Sequence, residues 1–202
     1  MRQLINFGRG FLLWSEALDK APDSSELIAE LDRRVSSLGN DLGWELGPGS
    51  SASNAFALSP DGDLERLSTT QHVVSRAPSI PGWEFLPARP VRNPCLQFLL
   101  ATATRGEIAI DAAGWRYTLL LFQEGGLEIF LEQAGLDDLE EDDRYAAGVI
   151  FLDGLLGEEA RLRQISRVET VLVLPSDLAE RAGPVGELAA HLKALIAKTE
   201  IA

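Results

Sequence analysis

The chain has 202 residues, enough for one large domain or two small ones, and its 46% hydrophobic and 24% charged residues form a globular composition that excludes extended disorder. With 31 acidic against 18 basic residues the net charge is −13, which disfavours nucleic-acid binding by phosphate neutralisation. The single cysteine, Cys95, excludes an internal disulfide and any cysteine-built zinc or iron–sulfur site, and it suits a reducing, cytoplasmic compartment.

At the N-terminus Arg2 and Arg9 flank a region whose apolar patch, Phe11, Leu12, Leu13 and Trp14, is too short for a signal-peptide core and lacks a small-residue cleavage site. No apolar run approaches the roughly 20 residues that span a bilayer, so no membrane partner is expected. A short helix is predicted over 12–20. Asp23 and Glu26 then stand three apart after Pro22 as a helix-start signal, and Leu27, Ile28, Leu31, Val35 and Leu38 follow helical spacing up to Gly39. Two extended pieces, 43–46 and 55–58, read as a hairpin around Gly47, Pro48, Gly49, Ser50 and Ser51.

The tight turn Ser59-Pro60-Asp61-Gly62 leads into a helix carrying Leu64, Leu67, Val73, Val74 and Ala77, stopped by Pro78, after which 83–86 is extended again. The proline-rich stretch 87–94 reads as a connection. Strands follow at 106–111, 115–122 and 127–132, then an apolar helix over 142–156 and a strand at 168–174. A helix bearing Val185, Leu188, Leu192, Leu195 and Ile196 ends the pattern. The prediction is a single α+β domain over 1–202, with N-terminal helices, two β-β-α-β-like units in mixed or antiparallel sheet, structural halves at 1–90 and 95–202, and a C-terminal amphipathic helix.

The phrases Gly43-Trp44-Glu45-Leu46-Gly47-Pro48-Gly49, Leu58-Ser59-Pro60-Asp61-Gly62, Ala77-Pro78-Ser79-Ile80-Pro81-Gly82-Trp83-Glu84-Phe85 and Leu152-Asp153-Gly154-Leu155-Leu156-Gly157-Glu158 together resemble a group of bacterial proteins of unknown function. The resemblance covers about residues 10–174 and implies a bacterial origin, to which the excess of arginine over lysine also points. Its phrases are turns and tryptophan-bearing strands, so it implies no active site.

Chemical motifs are sparse. No Walker loop or dinucleotide fingerprint is present, and Pro48 removes a donor that a phosphate loop would need, so no cofactor is expected. His72 and His191 lie on separate predicted helices, without a second histidine or cysteine at metal-ligand spacing, and no metal site is expected. No serine elbow occurs, and Cys95 reads as a small buried hydrophobe. Asp153 interrupts an apolar helical run and lies beside its buried face. It is therefore a catalytic candidate or the partner of an arginine such as Arg161 or Arg167, and Glu158 is a second candidate near a helix end. Glu45 and Glu84 each follow a tryptophan, and alternation turns them outward.

Charge is the strongest signal. Between Arg116 and Arg144 there is no lysine or arginine, while nine acidic residues occur, among them Glu124, Glu128, Glu132, Asp138 and Glu141. Acidic residues before a helix stabilise its N-terminus, which explains 137–143 better than the strand glutamates. The expectation is a non-enzymatic, cytoplasmic binding protein that meets a basic protein partner through Glu128, Glu132, Asp138 and Glu141, in an immunity- or inhibitor-like role. The competing reading is a small hydrolase using Asp153 or Glu158.

Overall fold

The structure is a computed structural model that describes residues 24–39, 41–92, 95–122 and 126–199. The protein is α+β, and the chain divides into two compact units, residues 1–90 and 91–202. The predicted helix over 12–20 and the segment holding Arg2, Arg9 and the apolar patch lie outside the described residues, as does Glu124.

In the first unit α1 (Ser25–Leu38) buries Leu31 and Val35, the centre of the predicted stripe, and Ser24 occupies its N-cap position. Strands β1 (Gly43–Pro48) and β2 (Asn54–Ser59) pair antiparallel, and β3 (Trp83–Leu86) returns parallel to β2, giving the order β1-β2-β3. Helix α2 (Leu64–Val74) makes the crossover. Its start is set by Asp63, whose carboxylate accepts from the Glu65 amide at 2.9 Å, and by a turn in which Asp61 and Gly62 both take positive φ. Phe56 and Leu58 of β2 meet Leu31, Val35, Val73 and Ile80 to form the core, with Trp44 and Phe85 packed around it.

The second unit opens with a hairpin, β4 (Gln97–Thr102) and β5 (Gly106–Asp111), paired antiparallel. Strands β6 (Arg116–Leu121) and β7 (Leu127–Glu132) form another antiparallel pair. Helices α3 (Glu141–Leu156) and α4 (Glu158–Gln164) then lead to β8 (Arg167–Val171), parallel to β7. A short helix α5 (Ser176–Ala179) and the two-residue strand β9 (Gly183–Pro184) complete the sheet order β8-β7-β6-β9 before a 3-10 turn and α6 (Leu188–Thr199). Leu127, Ile129 and Leu131 of β7 alternate into a core with Trp115, Phe151, Leu152, Leu188 and Leu192. Trp115 sits edge-on to both Phe151 and Phe98, at 5.5 and 6.4 Å between ring centres.

Both units thus contain β-β-α-β order with the same pairing, an antiparallel hairpin followed by a parallel return beside its second strand. Four elements were not predicted, the short helix α5 among them. β4 carries the run Phe98-Leu99-Leu100-Ala101 without clear alternation, α4 begins directly after a glycine that reads as a stop, and β9 is only two residues long. Among the described residues no helix is long and apolar enough to cross a membrane.

Candidate functional site

The two catalytic candidates, Asp153 and Glu158, lie at the corner between α3 and α4. Gly157, with φ of +82°, breaks the helix there, and its amide donates to the Asp153 carbonyl at 2.8 Å while its own carbonyl accepts the Arg161 amide at 3.0 Å. Folding back by one helical turn brings Arg161 onto Asp153. Arg161 Nε donates to Asp153 Oδ1 at 2.7 Å, with Nη2 at 3.5 Å from Oδ2. Asp153 is 4% exposed, Arg161 7% and Glu158 0%. Asp153 is therefore buried within the core rather than beside it, and Glu158, expected near a helix end, is the buried first residue of α4. Arg92 and Cys95 lie at the same corner: the Arg92 amide donates to the Gly154 carbonyl at 2.7 Å, and a side chain at Gly154 would meet Cys95 Cβ at 3.5 Å.

A buried carboxylate fully engaged by a guanidinium holds two segments together, but its charge is already balanced and its oxygens face protein, which is poor placement for general acid–base work on a substrate. Neither of two clefts on this unit is lined by Asp153 or Glu158. One, of about 510 Å³, runs between Leu155, Leu156 and Ala160 and the α6 residues Leu192 and Ile196; the other lies on the β4–β5 hairpin beside Phe98 and Ile110. Burial also pushes the Cys95 thiol above its ordinary pKa, away from reactivity.

The acidic segment separates into two parts. On β7, Glu128 and Glu132 do turn away from the core, yet both are only half-exposed. Glu132 pairs with Arg116 Nη1 at 3.2 Å and accepts the Leu174 amide at 3.0 Å, while Glu128 stands in register with Arg167 of β8. The strand glutamates thus belong to a sheet surface that also carries cations.

The loop before α3 is different. Leu136 and Leu139 are buried and anchor it to the core, and Gly135 takes φ of +86° at its start. Two guanidinium groups bond to this loop, and both use its backbone: Arg105 donates to the Asp138 carbonyl at 2.6 Å and Arg144 to the Leu139 carbonyl. Asp137, Asp138, Glu140, Glu141 and Asp142 remain exposed, and among the described residues their side chains form no ion pair. The arrangement is a pinned loop whose outer carboxylates, among the described residues, lack a cationic partner.

Among the described residues no three histidine, cysteine, aspartate or glutamate side chains converge to hold a metal ion. His72 is exposed on α2 beside Arg76, and His191 on α6 shares a 2.8 Å hydrogen bond with the buried Tyr117 hydroxyl. Burial, helped by the Glu187 charge, raises the Tyr117 pKa. Two carboxylates expected on the open surface are engaged instead. Glu45 lies 3.8 Å from Arg89 Nε, which also reaches Asp61 at 3.3 Å, and Glu84 is bonded to Ser50 and Ser51. The serine pair beside two glycines was the only sequence signal for that last contact.

No protein-family model, no curated protein and no solved structure matches this chain. The phrases that resemble bacterial proteins of unknown function accordingly carry no family assignment.

Proposed function

We propose that this chain is a non-enzymatic, cytosolic binding protein that docks a basic protein partner on the acidic loop at residues 137–142, masking it as an immunity or inhibitor protein would. The observation that supports this most is the loop's construction. Its backbone is tied down by Leu136, Leu139, Arg105 and Arg144, while its carboxylates stay exposed and, among the described residues, form no ion pair. A pre-ordered surface loses little conformational freedom when it binds, and clustered like charge steers an oppositely charged partner into register. The burial of Asp153 and Glu158 gives the hydrolase reading no comparable support.

The test is capture from a native lysate of the source cell, with the full-length wild type and an Asp137→Asn, Asp138→Asn, Glu141→Gln, Asp142→Asn variant immobilised side by side. The expected result is a basic protein held by the wild type at low salt, weakened at moderate salt and lost by the variant, because exposed charge pairs are screened within about 8 Å at physiological ionic strength. Recovery of the same proteins by both, with the same salt response, would sink the proposal.

A further inference from the structure

We propose that the Gly49-Ser50-Ser51 turn is an oxyanion cradle filled in the resting protein by its own Glu84, and that it accepts a free tetrahedral oxyanion of the phosphate or sulfate class once Glu84 is removed. The placement follows from the sheet. β3 returns parallel to β2 with Glu84 in register with Ala55, itself opposite Gly47, so the Glu84 side chain leaves the edge strand beside the turn that joins β1 to β2. Four donors converge on its carboxylate. The Ser50 amide bonds Oε1; the Ser51 amide bonds Oε2 at 3.1 Å, joined there by the Ser51 hydroxyl and, at 3.4 Å, the Ser50 hydroxyl.

Gly49 is what admits the anion so closely. A Cβ there would come within 2.5 Å of the Ala52 carbonyl oxygen and 2.9 Å of Glu84 Oε1, so any side chain would push the turn or the carboxylate away. The Gly49 amide donates to the Ser53 carbonyl at 3.3 Å and closes the loop. Successive N–H groups aimed at one point, with hydroxyls beside them, form an anion-binding concavity, and bonds to a charged acceptor are the stronger kind. The same bonds, from the Ser51 hydroxyl first and the Ser50 amide next, hold the Glu84 carboxyl below the ordinary glutamate range. Because Glu84 is tethered it competes at high effective concentration, which keeps free anions out. Pro48 precedes the donors and so does not cost the cradle one of them.

The experiment is thermal unfolding of the full-length chain with inorganic phosphate titrated against sodium chloride at matched ionic strength. Glu84→Ala should show a saturable rise in midpoint with phosphate that chloride does not reproduce, the wild type should show none, and adding Ser51→Ala should weaken the phosphate response about tenfold, as expected for losing bonds to a charged acceptor. An equal response in wild type and Glu84→Ala, or none beyond chloride in Glu84→Ala, would overturn the proposal. Should Glu84→Ala fail to fold, Glu84→Ser takes its place in the same phosphate titration with the same two outcomes, and amide NMR of the wild type checks the resting state. The Ser50 and Ser51 amides should titrate together with a midpoint below that of an ordinary glutamate; amides that ignore Glu84 protonation would overturn the cradle.

Discussion

The two β-β-α-β stretches share strand order and pairing but begin their crossover helices in opposite ways. In the first, four residues suffice between β2 and α2, and one carboxylate, Asp63, caps the helix by accepting the Glu65 amide. In the second, the chain between β7 and α3 carries a run of acids, yet Glu140 at the N-cap position makes no side-chain cap bond. One well-placed aspartate therefore starts a helix in this fold, and the acids at 137–142 exceed that need. The helix bodies differ too. Among the described residues the first unit buries only Ser59 and Thr70 as polar side chains, whereas the second buries the charged residues Asp153, Glu158 and Arg161 at the α3–α4 corner. Both crossovers pack apolar residues into their cores, and the longer one adds a buried ion pair that the shorter one lacks among the described residues.

Substitutions can break this contrast in order of size. Removing one member of the buried pair, by Arg161→Ala or Asp153→Ala, should cost about 3–5 kcal/mol by chemical denaturation, since the partner is left buried and uncompensated. A double Asp153→Leu, Arg161→Met variant should recover much of that loss; recovery of none would show that the pair is not the unit that matters. Next comes the seat of α3 on β8. A Cβ at Gly148 would sit 2.7 Å from Thr170 Cγ2, so Gly148→Val should destabilise by about 1–3 kcal/mol through overpacking, and an unchanged urea midpoint would mean that the helix is free to lift. The smallest effect belongs to the first unit, where Asp63→Ala should cost about 1 kcal/mol through loss of its cap.

Much of this architecture was legible in the chain. The strands at 83–86, 106–111 and 127–132 appear within the predicted bounds, because each couples apolar alternation or aromatic content to clear turn residues on both sides. α3 was legible from its apolar density and acidic start, whereas α2 ends at Val74, ahead of the predicted stop at Pro78, and leaves Ala77 outside the helix. What escaped prediction depends on tertiary contact. β4 shows its alternation only once Leu100 and Phe98 have a core to face. α4 was hidden by Gly157, which ends one helix and starts the next within a single residue. Asp153 was identifiable as an anomaly in an apolar run, with Arg161 among its candidate partners, but the depth of their burial needed the helix corner. Glu84 was the reverse case, since strand alternation alone assigned it to open solvent while a serine turn 33 residues earlier supplied its partners.

The surplus of acids before α3 is tested most directly by the urea unfolding midpoint of the Asp137→Asn, Asp138→Asn variant, which spares the first-turn acids Glu141 and Asp142. Carboxylates that serve association repel one another in the free protein, so their neutralisation should leave the midpoint unchanged or slightly raised. A fall as large as that produced by Asp63→Ala would contradict this, because it would mean that the acidic run is there to start the helix.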